Sequence, residues 1–459
     1  MFRARSLDLD RWADAGPRKP LVVRGARQVG KSWLVLHWGK ARFGRVVEAN
    51  VERHSGIAGC FTHDDPREVL LRLEVLLGQP IPVDGSTLLF LDEIQAAPEI
   101  LAKLRWFAEE LPQLPLIAAG SLLDFALADH SFSMPVGRIS YLHLEPMGFC
   151  EFALALGEER LVAWLREQVT LDRIASGDAM PNALHQRAQQ IFRMWILVGG
   201  MPAAVEAYRL GRSLLPVADV HRDLLATIRD DFSKYANRVQ HRLLTSVLAA
   251  VPAQLGQKFK WSKVEREARA ASLRQALELL VLARVCHRVT ATSGHGLPLG
   301  AGADIRNFKA IYLDVGLASA SLHLSLSELE HASDLTLVNS GAIAEQAVGQ
   351  LLRLNVDAHE EPALWYWLRD HPNSSAEIDY LTTARAKVIP VEVKAGAGGA
   401  LRSLHLFMAE RGSLLAVRFN SAAPVIQEVN ALTSDKRQAK YKLLSLPMYL
   451  VEELPRLLA

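Results

Sequence analysis

The chain has 459 residues, half of them apolar, a formal net charge of +2 and three cysteines. Its length predicts roughly two to four domains with several cores, and the near-neutral balance excludes a global basic field, so any nucleic-acid surface has to be local. Cys60, Cys150 and Cys286 lie far apart without metal-ligand spacing, and no apolar run approaches the ~18 residues of a membrane span or forms a signal peptide, so a soluble, cytoplasmic protein with reduced thiols is expected.

Residues 1–20 predict a short leading helix with Leu7, Leu9 and Trp12, ended by Pro17 and Pro20. Leu21-Val22-Val23 reads as a strand, and Trp33–Leu36 as the first turns of a helix. Between them lies Gly25-Ala26-Arg27-Gln28-Val29-Gly30-Lys31-Ser32. Strand, glycine loop and helix start are the context of a phosphate-binding loop, in which amides and the helix dipole face the ligand. Lys31 is placed to reach the β- and γ-phosphates, and the Ser32 hydroxyl to hold Mg²⁺. The flanking strand and helix argue against an accidental match in a surface loop. ATP and Mg²⁺ are the expected ligands, although the motif does not separate ATP from GTP.

Residues 45–52 read as a second strand, and Val69, Leu70, Leu73, Leu76 and Leu77 recur at helical spacing. Thr87-Leu88-Leu89-Phe90-Leu91-Asp92-Glu93 follows, an apolar strand ending in two acids. In a buried parallel sheet such acids stand at the edge where nucleotide binds. Asp92 is expected to hold Mg²⁺ through its water shell and Glu93 to polarise the attacking water, which points to hydrolysis rather than binding alone. After a helix over residues 100–111, the strand at 114–119 leads to Ser121, either a γ-phosphate sensor or a helix N-cap. Arg138 either stabilises transition-state charge, in cis or from a neighbouring subunit, or forms a surface salt bridge.

GARQVGKS, TLLFLDEIQ, IAAGSLLDF and VGRISYLHLEPMGFCEF resemble the archaeal and bacterial AAA-type ATPases that carry a C-terminal domain of unknown function. The likeness extends over nearly the whole chain through Gly199–Pro202 and Tyr312–Leu317. Many members have Thr where this chain has Ser32, and often a second Ser after the position of Ser121. Residues 151–235 read as helices interrupted at Gly199-Gly200-Met201-Pro202, and the resemblance implies that they form a lid over the nucleotide.

Residues 236–295 read as three helices (about 240–251, 262–268 and 272–281) and a strand from Ala283. Lys258, Lys260, Lys263, Arg266, Arg269 and Arg274 cluster there, with Phe259 and Trp261 interleaved. Either this is a winged helix that sets a helix into a DNA groove, which the resemblance favours, or it is a solvated basic face. Ser293–Gly302 is then a wing or a loop.

The last segment brings Glu345 on a helix, the aromatic strand Trp365-Tyr366-Trp367, then Asp379 on a strand and Glu392-Val393-Lys394 on the next. Residues i and i+2 of a strand share a face, so Glu392 and Lys394 project together and Asp379 can meet them across the hairpin. This layout resembles the PD-(D/E)XK nucleases. Asp379 and Glu392 would hold Mg²⁺ against a phosphate, Lys394 would orient or deprotonate water, and Glu345 would support the metal. No Pro precedes Asp379, and many such domains bind without cutting.

The expected architecture is α/β. A P-loop NTPase parallel sheet occupies 1–150, a helical lid 151–235, a winged-helix-like module 236–330 and a restriction-endonuclease-like α/β domain 331–459. The first functional reading is a Mg²⁺-dependent ATPase coupled to a nuclease acting on DNA. The second is a regulatory ATPase whose nuclease-like domain only binds DNA or a protein, and the third a small-molecule kinase. A homo-oligomer is compatible with all three; a membrane partner is not expected.

Overall fold

Short apolar runs covered on both faces build the first sheet. Strands β1 (Leu21–Arg24), β2 (Arg45–Asn50), β3 (Thr87–Asp92), β4 (Leu116–Ala119) and β5 (Ser140–His143) lie parallel in the order β2-β3-β4-β1-β5. Along β3, Leu88 and Phe90 face one core while Leu89 and Leu91 face another. A strand covered on both sides must be apolar at every position, which is why β3 reads as a continuous run. Each fully buried side chain of this size contributes roughly 2 kcal/mol. Helices Lys31–Arg42, Pro66–Leu77 and Ile100–Glu110 make the crossovers. The second is started by Pro66 and by Asp65, whose carboxylate accepts from the Arg67 amide. This is the parallel α/β sheet of a P-loop NTPase fold.

The computed structural model describes residues 1–121, 123–128, 135–234, 238–326, 340–371, 374–396 and 398–459. The boundaries expected at 235 and 330, and Leu122 behind Ser121, lie outside the described residues. Among those described, no helix is long and apolar enough to cross a membrane.

Six helices follow the sheet, from Phe149–Ala155 to Leu215–Asp230. Asn182–Val198 stops where two glycines were expected to stop it. Gly199 has φ 76°, and a Cβ there would lie 2.0 Å from Asp314 Oδ1. The Gly200 amide donates to Asp314 Oδ2 at 2.6 Å, and its carbonyl accepts from the Met147 amide at 2.7 Å. The break is thus a junction between the sheet and two helical segments.

From 238 to 312 the chain differs from expectation. Helices Arg238–Ala253 and Ala270–Leu282 form, but 262–268 holds only a short turn at Trp261–Lys263. Val264 and Ala268 are the only apolar residues of that stretch, too narrow a face to hold a helix on a core. Phe259 and Trp261 do not stand among the lysines as surface aromatics; Phe259 stacks on Phe308 at 5.5 Å, and Trp261 packs against both.

Strands β6 (Cys286–Thr292) and β7 (Ala303–Tyr312), which flank the stretch expected to be a wing or a loop, pair with each other and belong to a second, mixed sheet. The other strands are β8 (Leu364–His371), β9 (Ser374–Ala384), β10 (Lys387–Val393), β11 (Leu415–Asn420), β12 (Val425–Leu432) and β13 (Gln438–Pro447). Their order is β12-β13-β11-β10-β9-β8-β6-β7, with β6 parallel to β8. Helix Ser340–Leu354 packs Ile343, Ala347 and Leu351 with Tyr380 and Val391 in the main core, while Leu404 and Phe407 of helix Arg402–Arg411 share a separate core with Ile378 and Leu443. The main core continues from β1 through Phe192 and Trp195 to this second sheet.

Gly199→Ala adds a methyl group where the Asp314 carboxylate already stands, at a backbone conformation that favours glycine. It is expected to destabilise the protein by more than about 1 kcal/mol, read as a lowered urea midpoint, whereas Gly177→Ala, at a positive φ but in open space, should cost less.

Candidate functional site

The phosphate loop leaves the C-terminal end of β1. Gly30 takes φ 91°, a conformation that favours glycine, and aims the following amides along the axis of helix Lys31–Arg42. No side chain caps that helix start. Lys31 is buried, and its Nζ donates to the Gly25 and Ala26 carbonyls at 3.1 and 2.8 Å. Burial pulls its pKa down to about 8, although Glu93 and Asp92 pull it upward. Uncapped amides and a buried ammonium held only by carbonyls fit a phosphate anion.

Asp92 at the end of β3 accepts a hydrogen bond from Ser32 Oγ at 2.9 Å. Burial pushes its carboxyl up to about 6. A hydroxyl joined to a carboxylate whose charge burial disfavours fits a hard divalent cation. Glu93 has φ 54°, and its Oε2 accepts from Gln95 Nε2 at 2.5 Å. Gln95 Oε1 is buried without a hydrogen-bond partner among the described residues, an acceptor beside Glu93 that the sequence reading missed. Ser121 is buried just beyond β4, at the same edge of the sheet.

Arg138 is elsewhere. It precedes Ser140, whose amide donates to the Pro20 carbonyl ahead of β1, so it lies at the opposite edge of the sheet, paired with Glu109 at 2.7 Å. The structure therefore does not bring Arg138 to Lys31 within one chain. Arg27 of the loop instead pairs with Asp231.

A cavity of about 670 Å³ opens beside Gly30, lined among others by Phe2, Trp33, Pro202 and Arg209. Behind the loop, Arg3 donates to the Val29 carbonyl at 2.6 Å, to the Glu145 carbonyl at 2.7 Å and to Glu151 at 3.2 Å. The Glu145 carboxylate receives both arms of Arg353, at 2.8 and 3.0 Å, from helix Ser340–Leu354. Burial works to raise the Glu145 pKa, but Arg353 holds it well below the usual carboxylate range. Arg284, just ahead of β6, donates to Asp124 at 2.7 Å. Its partner also faces Arg24 at the foot of the loop, at 3.5 Å.

The second constellation lies in the second sheet. The β9–β10 hairpin turns through Arg385 and Ala386, both with positive φ, and pairs Tyr380 with Val391. Continued by one step, that register sets Asp379 opposite Glu392. Asp379 Oδ2 accepts from the Val393 amide at 2.7 Å, and Lys394 Nζ donates to Glu392 at 2.6 Å. Burial, then the neighbouring Asp379, push Glu392 up to about 8. Between Asp379 and Glu345 stands a residue the sequence reading missed. Lys309 of β7 is 1% exposed and pairs with Glu345 at 2.8 Å, with Glu377 and, at 3.7 Å, with Asp379. Burial alone would lower its pKa, but Glu345, Asp379 and Glu377 raise it, so it stays an ammonium. The expected Mg²⁺ set of Glu345, Asp379 and Glu392 therefore does not fit a divalent ion: the Lys309 ammonium stands between Glu345 and Asp379, and Lys394 engages Glu392. A lone lysine in the apolar strand Asn307–Tyr312 was the one available signal.

Residues 17–153 match the family model described as an AAA domain. The N-terminal third is an AAA-type ATPase domain. Residues 189–328 and 340–447 match two families described as domains of unknown function, DUF8612 and DUF4143. No curated protein matches the chain. Among solved structures, the Walker-type ATPase PabY2304 of Pyrococcus abyssi is 18% identical, covering 70% of this chain and 95% of its own at a TM-score of 0.44. The ORC2 protein of Aeropyrum pernix is 13% identical, covering 72% and 92% at 0.33. At such scores these likenesses are loose, and the assignment rests on the AAA-domain match and the loop geometry.

The Asp92 carboxyl of the AAA domain titrates near 6 when folded, above its ordinary 3.8, so its contribution favours folding at low pH and is lost as pH rises through about 6. Asp92→Asn keeps an acceptor for Ser32. It is expected to stabilise the nucleotide-free protein by on the order of 1–3 kcal/mol at about pH 7.5, a gain that shrinks towards zero near pH 4 in urea denaturation.

Proposed function

We propose that this chain is a Mg²⁺-dependent ATPase switch whose nucleotide state is communicated to its C-terminal half. The observation that carries the reading is the buried Lys31 ammonium, which among the described residues donates only to carbonyls, beside the joined Ser32 and Asp92 oxygens. The amides of residues 25–32 and Lys31 bind the phosphates, and Ser32 with Asp92 would hold Mg²⁺, which supplies charge neutralisation at the β- and γ-oxygens. Glu93 takes the proton of the attacking water, with Gln95 holding its carboxylate. Ser121 stands where it can contact the γ-phosphate. The cavity between Trp33 and Pro202 receives the base, which assigns the helices after 151 a lid role.

Coupling runs through Arg3. It holds the loop carbonyl of Val29 and the Glu145 backbone together, and Glu145 in turn holds Arg353 of the C-terminal half. If chains assemble, Arg138 is the arginine that can reach a neighbour's nucleotide, since it faces away from its own.

Two roles compete for the C-terminal half. In one, Glu392 and Lys394 act on a DNA phosphodiester; in the other, the domain binds DNA or a protein without cutting. The second is favoured by Lys309 amid the carboxylates and by the ion pair that already engages Lys394. Lys260, Lys263, Arg266, Arg269 and Arg274 are exposed and offer a local basic face for DNA.

Lys31→Ala should weaken nucleotide binding at least about tenfold in equilibrium dialysis. Glu93→Gln should leave binding nearly intact and cut turnover by about 10²–10⁴. Retained turnover in Glu93→Gln would remove Glu93 as the base. Magnesium-dependent plasmid nicking lost in Lys394→Ala would restore the cutting role.

A further inference from the structure

Lys309 and the groups around it come from three separate stretches of chain. Lys309 is on β7, Glu345 on helix Ser340–Leu354, and Glu377 and Asp379 on β9. The ammonium touches Glu345 and Glu377, stands 3.7 Å from Asp379, and lies 5.1 Å from the Tyr366 ring, whose π face adds to the attraction. Tyr380 closes the far side by donating to the Glu345 carbonyl at 2.8 Å. Asp379 is further engaged by the Val393 amide, and Glu392 by Lys394.

An ammonium carries three donors and suits acceptors near 2.8 Å, whereas Mg²⁺ demands six oxygens in tight octahedral order and keeps several of its waters. A divalent ion between these carboxylates would sit against the Lys309 ammonium, which is 1% exposed and on a central stretch of β7. Two adjacent positive centres, one of them the buried Lys309 ammonium, repel strongly. The two cations exclude each other.

We propose that Lys309 is the resident cation of this carboxylate cluster: it takes the place a metal would hold, fastens β7 to the helix and to β9, and makes the C-terminal domain metal-independent. The inference concerns this domain alone and deepens the reading in which it binds without cutting. It does not depend on whether the AAA domain hydrolyses ATP.

The test uses the full-length chain with its loop site silenced by Lys31→Ala and Asp92→Asn, without nucleotide, and Mn²⁺ as the probe. With Lys309 intact, Mn²⁺ paramagnetic resonance should show free ion only, and the melting temperature should not respond to Mn²⁺. Adding Lys309→Ala should lower the melting temperature, and Mn²⁺ should then bind one per chain and raise it again by several degrees. Stoichiometric Mn²⁺ binding by the Lys309-intact chain, lost on Asp379→Asn, would overturn the proposal. So would a folded Lys309→Ala chain that gains no Mn²⁺ site. Should Lys309→Ala fail to fold, the Lys309-intact measurement decides alone, because metal binding there contradicts the proposal and its absence upholds it.

Discussion

A charge removed from water must find a partner, and two buried lysines answer that demand in opposite ways. Among the described residues Lys31 donates only to carbonyl oxygens, and burial disfavours its ammonium. Such a group costs stability in the free protein and is relieved by an anion. Lys309 has more negative charge around it than it can neutralise, so its carboxylates, not the lysine, bear the strain. One lysine therefore marks an open site and the other a closed one, although both sit in apolar surroundings with acids nearby.

The open site meets the rest of the molecule at the back of its loop. The back of the phosphate loop is not in solvent: Arg3 holds Val29, and the same guanidinium binds the backbone at Glu145 and the carboxylate of Glu151. Glu145 and Arg353 form a bidentate buried pair, the geometry in which such pairs are strongest and in which loss of one partner is most damaging. His287, close to Glu145, is held neutral by burial and by Arg353. A displacement of the loop by a bound phosphate meets this chain of fixed donors rather than compliant side chains. The Asp124 carboxylate, shared between Arg24 and Arg284, is a second bridge of the same kind.

What could be read from residues alone was what is local. The loop, the apolar β3 with Asp92 and Glu93 at its end, and the helix stop at Gly199 each follow from a few adjacent residues with one dominant constraint. The hairpin placing Asp379 against Glu392 was legible for the same reason, since the β9–β10 turn spans only Arg385 and Ala386. Lys309 was not, because the partners that define it lie 36 residues away in Glu345 and farther still in Glu377 and Asp379. The pairing of β6 with β8 joins segments about 75 residues apart, and no pattern within β6 declares it. Arg138 stayed open between a catalytic role and a surface salt bridge because a glycine-arginine pair before a strand says nothing about which end of the sheet it occupies; the structure pairs it with Glu109. The helix expected at 262–268 does not form because Val264 and Ala268 give it too narrow an apolar face.

The second sheet carries a consequence for how this chain can be divided. The regions matching two unassigned families, 189–328 and 340–447, contribute neighbouring strands to it. Severing the chain between them would strip β8 of β6 and bare a row of amides and carbonyls along Leu364–Trp367, next to Trp365 and Tyr366. Such an aromatic, unpaired border recruits foreign strands. A C-terminal fragment prepared by following the family limits would self-associate through that border, and an oligomer seen with it would report the cut rather than the native assembly.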